Sequence, residues 1–187
     1  MKYMFASDIH GSAYYCRKLL ELYKESGADR LILLGDLLYH GPRNDLPREY
    51  DPKAVTAMLN GQKQEIYGVR GNCEAEVDQM VLEFPVMADY AVMVLNGLNF
   101  FVTHGHLFHQ DQLPPMKAGD ILIHGHTHLL RADALGDCYI LNPGSTSLPK
   151  DGNPSTYGVL DGSLFRILDF EGTVVKELDL SAGRKEA

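Results

Sequence analysis

A chain of 187 residues with 45% hydrophobic and 22% charged residues has the composition of a globular protein and the length of one domain, so residues 1–187 are expected to form a single unit. Its 17 Lys and Arg against 25 Asp and Glu give a net charge of −8. That balance argues against a sequence-independent grip on nucleic acid, which needs cationic surface to displace counterions, but leaves room for a small anion in a local positive site. The three cysteines, Cys16, Cys73 and Cys138, are widely spaced and odd in number, as expected of reduced thiols. No apolar run approaches the ~18 residues of a membrane span, and the first residues are apolar too briefly for a signal peptide. A cytoplasmic location without a membrane partner is the expectation.

In chain order, residues 2–7 predict a strand that runs into Asp8-Ile9-His10-Gly11. Ser12 is suited to cap a helix carrying Ala13, Cys16, Leu19, Leu20 and Tyr23 at helical spacing, with Gly27 as terminator. Leu31–Leu34 is a continuous apolar run, as in a strand buried on both faces, and it stops at Gly35-Asp36. Residues 39–50 predict a loop. Asp51-Pro52 opens a second helix, with Asp as cap and Pro at the first helical position. Residues 65–69 predict a strand followed by Arg70-Gly71-Asn72.

The second half is richer in strands. Residues 90–95 and 98–103 flank Asn96-Gly97, a strong hairpin signal. Residues 120–123 predict another buried strand. Residues 157–160, 163–170 and 173–178, separated by Asp161-Gly162 and Glu171-Gly172, predict an antiparallel meander, with the end frayed from 180. Early strand–helix alternation followed by hairpins predicts an α/β fold with two mixed sheets packed together and helices outside.

Five predicted strands end in polar signatures: Asp8-Ile9-His10, Gly35-Asp36, Gly71-Asn72, His104-Gly105-His106 and Gly125-His126-Thr127-His128. Ligands of open α/β sheets bind at the carboxyl ends of strands, so strands sharing a sheet and a direction would bring the five loops together. Six of the eight histidines lie between 104 and 128. Asp8 with His10, and His126 with His128, are spaced i, i+2, which in an extended segment puts both side chains on one side. Carboxylate, imidazole and amide oxygen form a donor set suited to Mn²⁺, Fe²⁺ or Zn²⁺. Gly-Asp and Gly-Asn alone are ordinary turn dipeptides; the ordered set of five at strand ends is what points to a metal site.

The ordered set Asp-x-His, Gly-Asp, Gly-Asn, His and Gly-His-x-His resembles the calcineurin-like metallophosphoesterase superfamily. Asn142-Pro143-Gly144-Ser145 is similar to a further segment of its small bacterial and archaeal members. The resemblance implies two facing mixed β-sheets flanked by helices in four layers, and a metal-dependent phosphodiesterase. It implies one divalent cation on Asp8, His10, Asp36 and His128, and a second on Asp36, Asn72, His104 and His126. Mn²⁺ is the expected metal, with Fe, Zn or Ni as alternatives. The implied reaction is in-line attack on a small phosphodiester by a hydroxide shared between the cations, with Asp36 and Asn72 central to catalysis.

Many members carry His after Gly-Asn, where this chain has Cys73. Cations beside a thiol favour the thiolate, so no strong general acid is expected there. Arg43 is a candidate to fork a phosphate oxygen, or else to stabilise its own loop. His106, two residues from His104, is a candidate to position substrate or donate a proton. His40, Asn142 and Ser145 are weaker candidates. A phosphomonoesterase or nucleotidase, and a scaffold of the same fold with little catalysis, are the competing expectations. Small members often assemble as dimers or tetramers, and the apolar stretch 84–95 is where such a contact is expected.

Overall fold

The computed structural model describes residues 1–183. A six-stranded sheet has the order β11-β10-β9-β1-β2-β3, and a five-stranded sheet the order β4-β5-β6-β8-β7. In chain order the first sheet receives β1 (Lys2–Ala6), β2 (Arg30–Leu33) and β3 (Ile66–Gly68), all parallel. The second comprises β4 (Tyr90–Leu95), β5 (Leu98–Thr103), β6 (Ile121–Ile123), β7 (Leu130–Leu135) and β8 (Cys138–Pro143), with β5, β6 and β8 parallel. The chain then returns to the first sheet as the antiparallel meander β9 (Thr156–Asp161), β10 (Leu164–Asp169) and β11 (Val174–Asp179).

The run Met4-Phe5-Ala6 shows why the strands read as continuously apolar. Met4 and Ala6 face a core shared with α1 (Ala13–Ser26) and α2 (Pro52–Asn60), which contributes Cys16, Leu19 and Leu59 among others. Phe5 faces the opposite way, into the core between the sheets, where its ring lies 6.0 Å from those of Phe100 and Phe165. A strand covered on both faces has no polar face to alternate with. The connection from β5 to β6, residues 104–120, contains no helix.

Both helix starts follow the local signals. Ser12 accepts from the Tyr15 N–H and Asp51 from the Ala54 N–H. Gly27 closes α1 in the left-handed region at φ 63°. Removing the Asp51 cap leaves a first-turn donor without its side-chain partner. Asp51→Ala is therefore expected to cost about 1 kcal/mol, read as a lowered midpoint in urea unfolding.

Three features differ from the sequence expectation. β7 and β8 form a hairpin about Gly136, and α3 (Glu76–Val81) is a short helix in which no residue is buried; neither was anticipated. Fraying does not begin at 180. Leu180 is fully buried between the sheets, its N–H donates to the Ser163 carbonyl, and Ser181–Gly183 forms a 3-10 turn. The remainder of the expected frayed end, 184–187, lies outside the described residues. The stretch expected at an oligomer contact includes edge strand β4, where Tyr90, Val92 and Val94 are exposed.

Candidate metal centre

The five signatures do meet, but not through one sheet. Asp8, Asp36 and Asn72 follow the adjacent strands β1, β2 and β3, whereas His104 and His126 follow β5 and β6 of the other sheet. The centre therefore sits where the carboxyl ends of two packed sheets come together. Several hydrogen bonds join the two sides, among them the following three. His104 Nδ1 contacts the Leu34 carbonyl at 2.7 Å, the His126 N–H donates to Asp8 Oδ2 at 3.1 Å, and the Thr146 N–H donates to the Ser7 carbonyl at 2.9 Å.

Nor are the i, i+2 pairs extended. Asp8, His10, Asp36, His126 and His128 all have φ between 48° and 65°. These are left-handed conformations that non-glycine residues avoid, and such strain persists only where surrounding structure enforces it. Each pair converges because both members occupy this region, not because a strand alternates. Glycine makes room for the turns at two places. Gly35 has φ 95°, and a Cβ there would lie 2.4 Å from the Gly71 nitrogen. A Cβ on Gly125 would lie 1.8 Å from Ser7 Oγ.

The side chains, most of them buried, form two linked groups. His128 Nε2 lies 3.3 Å and His10 Nε2 3.6 Å from Asp8 Oδ1, and the two nitrogens are 3.2 Å apart. Asp36 Oδ2 lies 3.7 Å from His10 Nε2, while Asp36 Oδ1 lies 3.4 Å from His104 Nε2. His104 Nε2 is in turn 3.1 Å from Asn72 Oδ1. Asp36 thus stands between the groups. The His126 ring lies 5.1 Å from that of His104.

The outer nitrogens explain the aim of the rings. His10 Nδ1 meets the Tyr39 carbonyl at 2.8 Å, His104 Nδ1 the Leu34 carbonyl, and His128 Nδ1 the Leu148 carbonyl at 2.6 Å. A carbonyl only accepts, so each Nδ1 carries the proton and each Nε2 is left to face the carboxylates. Buried Asp8 Oδ1 has no hydrogen-bond partner of its own. Converging imidazole nitrogens and carboxylate oxygens, with one oxygen left unsatisfied, suit a bound cation.

The electrostatics agree. Burial opposes ionisation of Asp8, but contacts with His10 and His128 outweigh it and hold the carboxyl well below its usual range. Asp36 is lowered in the same way, against burial, by His104. Burial works against protonated His104, yet Asp36 and Asp8 raise it to about 9. His10 is raised for the same reason by Asp8. The two buried carboxylates thus favour positive charge between them. His126, by contrast, is pushed down to about 4 by burial and by His104.

Around this cluster lies a groove of about 420 Å³ bordered by Asp36, Asn72, His126 and His128, with Arg43 and Lys150 supplying cationic side chains. The His106 ring lies 5.5 Å from that of His104, and its buried Nδ1 has no partner. Burial and His104 lower its pKa. Cys73 is half-buried beside Asp36, whose Oδ1 accepts from the Cys73 N–H at 2.9 Å. Burial and that carboxylate push the thiol pKa up. His40 contacts the Asn44 carbonyl within its own loop. Asn142 holds the 125–127 turn by donating to the Gly125 carbonyl and to Thr127 Oγ1, while Ser145 Oγ donates to the Asp8 carbonyl.

Two residues of the site escaped the sequence reading. Buried Glu74 accepts from the backbone N–H groups of Asp36, Leu37 and Gly71 at 2.8, 2.7 and 2.5 Å, tying the two signatures together. The only local hint is an acidic residue two positions after Asn72. Lys150 reaches the groove from a turn whose N–H donates to the His128 carbonyl at 3.3 Å, with no motif around it.

The calcineurin-like phosphoesterase superfamily domain matches residues 1–163. Phosphodiesterase YfcE of Escherichia coli K12 is 48% identical over 168 residues, spanning 90% of this chain and 91% of the relative. Phosphodiesterase MJ0936 of Methanocaldococcus jannaschii is 27% identical over 170 residues, covering 86% of this chain and 93% of its own. The solved structure of the E. coli YfcE phosphoesterase superposes with a TM-score of 0.95 at 44% identity, over 97% of this chain and all of that one. Zinc-complexed Vps29 of Entamoeba histolytica, at 19% identity and a TM-score of 0.63 over 97% of this chain and 100% of its own, shares the fold. The extent of the family match, together with a close relative aligned over most of its length, places this chain in the calcineurin-like phosphoesterase superfamily.

Proposed function

We propose that this chain is a metal-dependent phosphodiesterase acting on small diesters. The observation that carries the proposal is the buried cluster itself: three imidazoles with their outer nitrogens tied to carbonyls, all aimed at Asp8 and Asp36, beside a groove holding Arg43 and Lys150. Asp8, His10, Asp36 and His128 would hold one divalent cation, and Asp36, Asn72, His104 and His126 a second. Bound there, the pair would supply a shared hydroxide nucleophile at neutral pH and offset charge on the phosphoryl oxygens. Mn²⁺ is the proposed metal. The 48% identical relative, named a phosphodiesterase, supports the diester over the monoester.

The surrounding residues bind and orient. Arg43 forks a phosphate oxygen and Lys150 adds a second positive charge at the groove. His106, with one unbonded ring nitrogen, positions the substrate. Chelation is expected to abolish hydrolysis of bis-p-nitrophenyl phosphate, Mn²⁺ to restore it, and His126→Ala to lower the restored rate at least a hundredfold. Rates on p-nitrophenyl phosphate should stay well below those on the diester. Metal binding without turnover would sink the proposal in favour of a scaffold.

With a thiol in place of an imidazole after Asn72, leaving-group protonation is weak. Aryl diesters are therefore expected to react much faster than alkyl diesters, with log rate falling steeply as the leaving-group pKa rises. Cys73→His should flatten that slope; an already shallow slope in the unaltered protein would count against the idea.

A further inference from the structure

Directly beside the groove lies a second cavity, of about 510 Å³, with a different chemical character. Its walls include Leu38, Tyr39, Tyr50, Val77 and Val81. Cys73 borders both hollows, so the cavity adjoins the groove that holds Asp36 and Asn72. The Cys73 sulfur belongs to a group of potential ligand atoms with His10 and Asp36, all within 4.8 Å of one another, so the shared wall stands at the centre itself.

The sequence places apolar side chains around this cavity that the fold does not use. Helix α3 buries none of its residues, although it carries Val77, Met80 and Val81. Val77 is 61% exposed, Val81 45% and Tyr39 43%. Exposed apolar side chains gathered around one hollow mark a ligand site more often than chance scatter does. Charge divides the two hollows. Lys53 and Asp78 at the apolar cavity offset each other, whereas Arg43 and Lys150 leave the neighbouring groove cationic. A phosphate belongs in the second, and a group without charge in the first.

We propose that this cavity receives one ester arm of the substrate, making the chain selective for phosphodiesters that carry an apolar alkyl or aryl arm. The assignment rests on the phosphodiesterase reading and narrows it to a substrate class. The phosphate would lie in the groove, with the arm passing Cys73 to rest against Tyr50, Val77 and Val81.

Dimethyl and dibutyl phosphate test this. Their alkoxide leaving groups make them slow substrates, so they serve as competitive inhibitors, and because each is symmetrical either arm can enter. In the Mn²⁺-loaded protein, dibutyl phosphate should inhibit hydrolysis of bis-p-nitrophenyl phosphate at least about tenfold more tightly than dimethyl phosphate, a conservative figure for three added methylenes leaving water. Calorimetric titration should show the same ratio in binding. Val77→Lys, and independently Val81→Asn, should each shrink that ratio at least threefold. Met80→Lys, 83% exposed on the same helix and outside the cavity lining, should keep it.

Hydrolysis with equal constants for the two diesters overturns the cavity assignment and leaves the phosphodiesterase reading standing. A protein that hydrolyses no diester overturns both. Sedimentation supplies the last check: if Val77→Lys dissociates an oligomer while the ratio is unmoved, the cavity takes a second copy of the chain and the proposal falls.

Discussion

Asp36→Asn is expected to lower phosphodiester hydrolysis at least about a thousandfold, the upper scale for losing a single group that stabilises charge in a transition state. Asp36 turns one carboxylate oxygen toward each group of imidazoles, Oδ2 toward His10 and Oδ1 toward His104. Replacing it weakens both proposed cation sites at once. Asparagine keeps the shape, and its Oδ1 can still accept the Cys73 N–H, so the fold should survive. Metal content per chain, measured beside the rate, should fall in the variant while its circular dichroism stays unchanged. A variant that keeps two metals and a tenth of the rate would show that Asp36 does not bridge.

Glu74→Ala is the second large effect, and it acts through the backbone. Glu74 is buried and accepts three N–H donors, from Asp36, Leu37 and Gly71. Each buried donor left unpaired costs about 1–3 kcal/mol, so the loss for three donors is roughly 3–9 kcal/mol before water repairs part of it. At about 2–4 °C per kcal/mol for a chain of this size, Tm should drop by roughly 10 °C. Metal affinity should weaken about 10–100-fold as well, as it does when groups orienting metal ligands are removed. Glu74→Gln retains one acceptor oxygen and should fall between the two proteins on both measures. A Glu74→Ala protein that melts with the parent would refute the role, and one that melts lower with unchanged metal affinity would confine Glu74 to stability.

The parts of the site that local pattern reveals are those where a strand stops at a donor. Met4-Phe5-Ala6 and Leu31–Leu34 are apolar on both faces because helices cover one side and the second sheet the other. An abrupt change to Asp8 or Gly35-Asp36 is then conspicuous. The helix caps Ser12 and Asp51 and the Asn96-Gly97 turn are equally local, since each acts on backbone within a few residues. β7 and β8 offered no such contrast. Leu130–Leu135 mixes Arg131 and Asp133 with Ala132, and that pattern becomes a strand through its pairing with β8. Short α3 has no buried face, so its periodicity carried no signal.

Sequence alone determined the identity of the candidate donors, their order and their attachment to strand ends, because these depend on residue type and on contrasts a few positions wide. Only the tertiary structure decided how the donors meet. Two sheets had to pack before His104 and His126 could face Asp36. Asp8, His10, Asp36, His126 and His128 all adopt left-handed backbone, which non-glycine residues rarely take up without surrounding structure to hold it. Glu74 and Lys150 joined the site across 37 or 38 residues in one case and through an unremarkable turn in the other. The opening charge balance gains a location from this: the net −8 belongs to the whole chain, while the groove over the centre is cationic at Arg43 and Lys150. The physical reason is the same throughout. Propensity and patterning act over one or two turns of chain, whereas convergence, strain and burial are imposed by contacts between segments far apart in sequence, which form only when the whole core does.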